Sequence, residues 1–350
     1  MSLLLVGTTS YFIRRLLLII PTFLGITLLV FAVTRVVPGG PIERMLNEAM
    51  LSGGDRGSAL TSSRGIAGSV LSDAQLQQLR VYYGFDKPIF LSYVSWLEKV
   101  MVLDLGRSTR YNEPVWEAIS RRFPVSIFYG IATLILTYAV CIPLGIWKAI
   151  RHNSNFDNVS SGFVFLGYAI PGYIVGIALL TYFASQLGWF PLGGFVSDSY
   201  ARLSTWGKIQ DVTVHAVLPL LSYMAGSFAV TTFMMKNSLM DNLSADYVRT
   251  AIAKGLSFRQ AVLRHAVRNS LIPIATSFGN NISVILTGSF LIERIYNIDG
   301  FGLLGWESVV DRDYPVVMGI LVLSSLLFLV GNILSDICVA VVDPRVKFGQ

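Results

Sequence analysis

The sequence predicts an all-α polytopic membrane protein with about six transmembrane helices and both termini in the cytoplasm. Apolar residues make up 53% of the 350-residue chain and charged residues only 14%. Mean hydropathy is +0.60, more than a soluble domain of this length can bury. The apolar residues are gathered into blocks of roughly 20, the length of helix that crosses a bilayer. Cations sit in the short segments between alternate blocks, as the positive-inside rule requires of cytoplasmic loops.

The first span is read near Leu16–Val37, behind Arg14 and Arg15. It is too long for a signal-peptide core and no A-x-A-like site follows, so it is expected to be retained. The next spans lie near Val125–Ile150, Val159–Ser185, Val214–Met235, Ile274–Ile292 and Val316–Val341. Lys148 with Arg151, the cluster after Lys236, and Arg345 with Lys347 mark the inner side. This divides the chain into residues 1–37 (tail and first span), an extracytoplasmic insert at 38–123, a five-helix core at 124–342 with a cytoplasmic loop at 236–272, and a cytoplasmic tail at 343–350.

Within the insert, residues 50–72 are rich in Gly and Ser and read as a loop. Residues 73–122 carry aromatics with amphipathic spacing and read as a small helical cap at the outer membrane surface. Trp189, Tyr200 and Trp206 suit an interfacial position for the 186–213 loop. Pro21, Pro143, Pro171, Pro219 and Pro273 fall inside or at the ends of spans, where neighbouring helices can satisfy the backbone groups they free. Gly172 and Gly176 form a G-x-x-x-G pair that permits close helix approach.

Little in the chain points to chemistry of its own. Cys141 and Cys338 lie in apolar runs and read as small hydrophobes; His152, His215 and His265 are isolated, so no metal site is expected. Gly300, Gly302 and Gly305 match G-x-G-x-x-G, but that fingerprint binds dinucleotides only where a strand turns into a helix. Here it lies between two spans, so the glycines are read as permitting a tight turn. The phosphate-cradling G-x-x-x-x-G-K-[ST] does not occur, nor do H-E-x-x-H or G-x-S-x-G. Asp336, with Asn332 one turn earlier, is the clear acidic residue within a span and is read as structurally paired. Neither catalysis by this chain nor a nucleic-acid partner is expected.

The segment from Ser244 to Pro273 stands apart. Ser244 reads as a helix N-cap with Asp246 in the first turn, Lys254 in the last turn and Gly255 as the stop. Ser257 and Gln260 have capping-box spacing, so a second helix starts at once and runs through His265, Arg268 and Asn269 into Pro273. Tyr247 with Ala251, and Val248 with Ile252, make two apolar strips, while Arg249 and Lys254 supply charge beside Thr250. A helix of this length is marginal alone in water and needs a surface to lie against.

DYVRTAIAKG followed by RHAVRNSLIP resembles the cytoplasmic EAA loop of permeases in binding-protein-dependent ABC importers, and more closely the oligopeptide/dipeptide/nickel permease family. The E-A-A triplet falls on Arg249, Thr250 and Ala251, and its glycine on Gly255. The family proline that follows soon after the glycine is absent here; Val267 and Arg268 take its place and proline comes at Pro273. VVPGGP near 38, GFDKPI at 84–89, IPLGIWKA at 142–149, FLGYAIP at 165–171, MKNSL at 235–239, SFLIE with GFGLLGWE, RDYPV at 312–316 and VDPR at 342–345 extend the resemblance over nearly the whole chain. The wording is similar to the oligopeptide and microcin C import branch.

The resemblance implies a type I ABC importer permease fold and a non-enzymatic subunit in a bacterial inner membrane, importing peptides or peptide-like compounds. Dipeptides, glutathione or nickel chelates are the alternative cargo. It implies a second homologous permease, two cytosolic ATPase domains that carry the ATP and Mg, and an extracytoplasmic solute-binding protein. Ser244–Gly255 would then dock on an ATPase, and 257–269 would act as a rigid rod into the fifth span. The competing readings are a stand-alone secondary transporter, for which internal repeats and paired intramembrane charges are lacking, and a basic helix lying on anionic lipid.

Overall fold

A computed structural model describes residues 2–36, 77 and 87–342. The 50–72 loop, the VVPGGP stretch and the 343–350 tail lie outside the described residues. Helices dominate, with one isolated β-bridge, Arg107 with Pro114, among the described residues.

Four helices there are long and apolar enough to cross a membrane: Ile13–Ala32, Val115–Ile150, Thr205–Ser244 and Tyr314–Val342. A pair, Asn155–Ala169 and Gly172–Gln186, passes only when taken together and is bent by 97°. Six spans were expected, so two need correction. The third breaks at Pro171, whose ring ends the helix that precedes it and starts the next. The fifth is helix Ile272–Leu286, which at 15 residues is ~22 Å long, short of the ~30 Å hydrocarbon layer. Gly288, at φ +76, then turns the chain into a short helix, Phe290–Ile295.

Two compact units are distinguished. One comprises residues 2–20, 122–304 and 324–342; the other comprises 21–36, 87–121 and 305–323.

In the first unit, close backbone approach is built on glycines. A Cβ on Gly145 would stand 2.7 Å from Met235 Cβ, and one on Gly172 would stand 2.6 Å from Ser222 O. Gly176 lies over Ser222 and Tyr296, so the G-x-x-x-G pair is a helix contact, as its spacing suggested. Gly279 and Gly331 meet backbone to backbone, which leaves no room for a side chain on either helix. Arg15 Nε lies 2.5 Å from Asp336 Oδ2, so the intramembrane acid is held in an ion pair.

The glycines of the dinucleotide-like motif also find an explanation. Glu293 is 2% exposed. It accepts from Tyr223 Oη at 3.2 Å and from Leu303 N at 2.6 Å. A Cβ on Gly300 would lie 2.6 Å from its carboxyl carbon, and one on Gly302 3.1 Å from Oε1, with Gly288 closing a third side. Gly300 and Gly302 thus make room for a buried carboxylate.

In the second unit, Asp313 is fully buried. Ser108 Oγ donates to it at 2.5 Å, Thr109 N at 3.2 Å and Arg110 N at 3.2 Å. Arg110 in turn pairs with Glu307 and Asp311. The loop before helix Val115–Ile150 is thereby fastened to the start of helix Tyr314–Val342.

Candidate functional site

Helix Thr205–Ser244 has 40 residues, ~60 Å at 1.5 Å per residue, about twice the thickness of the hydrocarbon layer. It therefore extends past the hydrocarbon layer as a post, and the region after Lys236 that was expected to be loop continues it. Ser244 does not cap the next helix. It ends the long one, and its Oγ donates to Asp241 O at 2.8 Å. Burial of Met235 and Leu239, with Leu243 packed on the same core, carries the helix past the residue that would have stopped it.

Ala245 takes the N-cap position of helix Asp246–Ala253 without a side-chain bond. Val248 (1% exposed) and Ala251 (9%) point inward to a core that contains Ala149, Met235, Leu239, Ala261, Val262 and Ala266. Burying the valine contributes about 1.5–3 kcal/mol. The two strips read from the sequence are therefore divided between faces. Val248 and Ala251 seat the helix, while Tyr247 (39% exposed) and Ile252 (41%) face away. Asp246, Arg249, Thr250 and Lys254 are exposed as well. Thr250 Oγ1 bonds back to Asp246 O, and Tyr247 Oη donates to Asn242.

Gly255 ends the helix at φ +95, the conformation expected of it, and its N–H bonds Ile252 O at 2.9 Å. Ser257 and Gln260 form the capping box in full. The rod beyond it is not uniform. Phe258–Ala261 is α-helical, Val262–Ala266 takes wider π-type turns, and Val267–Ser270 is α-helical again before a break at Leu271. Ala261, Val262 and Ala266 face the core, and Ser270 Oγ reaches Ser238 O at 3.3 Å. His265 is exposed, Asn269 and Pro273 are half-buried, and Arg268 Nε donates to Val342 O at 2.9 Å. Phe258 (51%) and Leu263 (53%) extend the outward apolar surface.

The same core leads to a charged cluster that sequence reasoning missed. Asp157 is 1% exposed in the first turn of helix Asn155–Ala169, where a carboxylate suits the helix dipole. Lys236 Nζ donates to both its carboxylate oxygens at 2.8 Å. Lys148, itself fully buried, lies 3.1 Å from Oδ1 and donates to Ser160 Oγ and Ser161 Oγ. His152 Nδ1 and Asn153 N stand 3.2 Å from Oδ2. Lys148 and Lys236 look in sequence like ordinary inner-loop cations; the signal was one acid, Asp157, within a helix turn of a span end. The cluster joins the last turn of helix Val115–Ile150, the first turn of helix Asn155–Ala169 and Lys236 of helix Thr205–Ser244, beside the seat of Asp246–Ala253. Among the described residues no group of three or more metal-ligating side chains is found.

The comparisons agree with this architecture. The family model for the binding-protein-dependent transport system inner membrane component matches residues 141–348. A peptidoglycan transport system permease protein, YejB, of Agrobacterium fabrum is 40% identical, covering 97% of this chain and 98% of that protein. The oligopeptide transport system permease AppB of Bacillus subtilis is 34% identical (97% and 99% covered). The dipeptide transport system permease DppB of Escherichia coli K12 is 32% identical (97% and 98%). Among solved structures, an inward-facing form of the MetNI methionine ABC transporter superposes with a TM-score of 0.51 at 14% identity, covering 65% of this chain and 96% of that one. This is a likeness of fold.

Proposed function

From the premise that this chain belongs to the family of binding-protein-dependent transport system inner membrane components, we propose that it is a membrane-spanning permease subunit of an ATP-driven importer, with peptides or peptide-bearing compounds as cargo. The observation that carries the reading is helix Asp246–Ala253. It is seated from within by Val248 and Ala251 and presents Tyr247, Ile252 and, beyond Gly255, Phe258 outward at the end of the 205–244 post. An eight-residue helix with two outward apolar side chains, flanked by a third at Phe258 after the Gly255 turn, fits a groove on another protein. A chain without a phosphate loop needs that protein to be the ATPase.

The working unit in this reading has a second, similar permease, two cytosolic ATPase domains that bind ATP and Mg, and an extracytoplasmic solute-binding protein. The chain sits in a bacterial inner membrane with both termini cytoplasmic. Closure of the ATPases moves the seated helix together with the 205–244 post and the Asp157 cluster, so that the spans rock between inward- and outward-facing states. The names of the similar permeases, oligopeptide, dipeptide and peptidoglycan transport, support a cargo carrying peptide bonds.

Uptake measured in proteoliposomes with the complete complex, ATP inside and labelled peptides outside, tests the proposal. Tyr247→Ala with Ile252→Ala is expected to lower peptide uptake per ATP hydrolysed while the complex still folds, because both side chains face outward. Undiminished coupling in the double variant would sink the docking role, and absence of ATP-dependent peptide uptake by the unmodified complex would sink the cargo assignment.

A further inference from the structure

Helix Ile89–Met101, expected to belong to a cap at the membrane surface, packs against the first apolar helix. The apolar window of the first helix, Ile13–Ala32, has its midpoint between residues 22 and 23. At 1.5 Å per residue, Leu24 lies ~2 Å, Thr27 ~7 Å and Phe31 ~13 Å beyond that midpoint, inside a half-layer of ~15 Å. Tyr93 Oη bonds Leu24 O at 3.2 Å and Thr27 Oγ1 at 2.9 Å. The Phe31 ring packs on Tyr93 and Trp96, with centroids 5.6 and 5.7 Å away. Tyr93 is 7% exposed and Thr27 fully buried, so these contacts are core packing.

The outward side of the helix has a matching character. Ser92, Tyr93 and Val100 face the protein. Beside them runs a second stripe, Phe90, Val94, Leu97 and Met101, at the four-three-four spacing of one helix face. Phe90 is 71% exposed and Met101 73%, and the stripe continues into Val102 at 75% and Leu103 at 50%. Leu91, Ser95, Glu98 and Lys99 occupy the remaining arc, which holds the helix's only charges. A helix facing water at this position would carry polar residues along the 90–94–97–101 line. Leu28 and Leu29 of the first helix are exposed as well, as the surface of a membrane span would be.

We propose that helix Ile89–Met101 is embedded in one leaflet of the bilayer, with Phe90, Val94, Leu97 and Met101 against acyl chains and the Glu98–Lys99 edge turned to the headgroups. The leaflet is the one at the C-terminal end of the first helix, hence the outer one when the N-terminus is cytoplasmic. Lys99 reaches the headgroups along its aliphatic stem. Lipid of the outer leaflet is then a structural partner of the permease, and the helix braces the first span against tilting.

Collision accessibility of spin labels tests this in the complete complex in nanodiscs, with Cys141 and Cys338 replaced by alanine and single cysteines placed at Phe90, Val94, Met101 or Glu98. Labels at Phe90, Val94 and Met101 are expected to be more accessible to oxygen than to a water-soluble nickel complex, and the label at Glu98 to show the reverse. Nickel accessibility exceeding oxygen at all four positions would place the helix in water. Protection from both reagents would mean that a protein partner covers the stripe; either outcome overturns the proposal. In the unmodified complex, a lipid with a diazirine on its acyl chain is expected to label peptides from residues 89–103, and absence of that adduct would equally overturn it.

Discussion

Replacing Asp157 by asparagine removes a charge and almost no volume. Two lysines depend on that charge: Lys148 is fully buried and Lys236 is 8% exposed. Lys148 keeps Ser160, Ser161 and the residue-157 carbonyl as acceptors. Lys236, which bonds both carboxylate oxygens at 2.8 Å, keeps a single amide oxygen. Removing one partner of a buried pair costs about 3–5 kcal/mol, because an uncompensated charge remains. The retained acceptors put Asp157→Asn near the lower end, about 3 kcal/mol, or roughly two powers of ten in the folding equilibrium. Reversible unfolding of the purified complex in mixed micelles reads the change, with Asp198→Asn, at an exposed position, as the reference. A triple variant, Lys148→Met, Asp157→Leu and Lys236→Met, is expected to recover most of the loss, since an apolar replacement of a buried pair is often neutral. A shift for Asp157→Asn no larger than that of Asp198→Asn, or a triple variant no better than the single one, would refute the reasoning.

Three other outcomes follow from the geometry. Gly255→Ala introduces a Cβ that meets nothing within 4 Å but sits at φ +95, so the cost is backbone strain of about 1–2 kcal/mol; the complex is expected to assemble while uptake per ATP falls, read by paired uptake and hydrolysis assays. Gly300→Ala drives a methyl group to 2.6 Å from the Glu293 carboxyl carbon, and is expected to lower thermal stability more than Gly226→Ala, whose Cβ would meet nothing within 4 Å. Asp313→Ala strips the acceptor from Ser108, Thr109 and Arg110; hydrogen bonds to a charged group contribute about 1.5–3 kcal/mol each, and faster proteolysis within residues 104–114 is the expected reading.

The long helices were legible because apolar blocks and their lengths are a local signal. Gly255 and the Ser257–Gln260 box were legible because caps are local too. The break at Pro171 is a local signal, but proline spacing alone does not tell a tolerated kink from a proline that ends one helix and starts the next, as Pro171 does. Ser244 failed as a cap because tertiary burial of Met235, Leu239 and Leu243 outweighed a preference of about a kilocalorie. The division of the Tyr247/Ala251 and Val248/Ile252 strips between faces could not be read from spacing, since spacing does not say which side meets the core. The Lys148–Asp157–Lys236 cluster joins residues 79 positions apart, and no periodicity reports such a pairing. The same holds for Glu293, whose glycine cage imitates a nucleotide motif.

The claim that helix Asp246–Ala253 is the contact with an ATPase is tested most directly by photo-crosslinking. A photoreactive amino acid at Tyr247 or Ile252, both outward-facing, is placed in the assembled complex, with Phe90 as the comparison site. Irradiation is expected to join both coupling-helix positions to the ATPase subunit, with changed yield on ATP binding, and to give no ATPase adduct from Phe90. Adducts with lipid alone at Tyr247 and Ile252, in a complex that hydrolyses ATP and takes up peptide, would contradict the account.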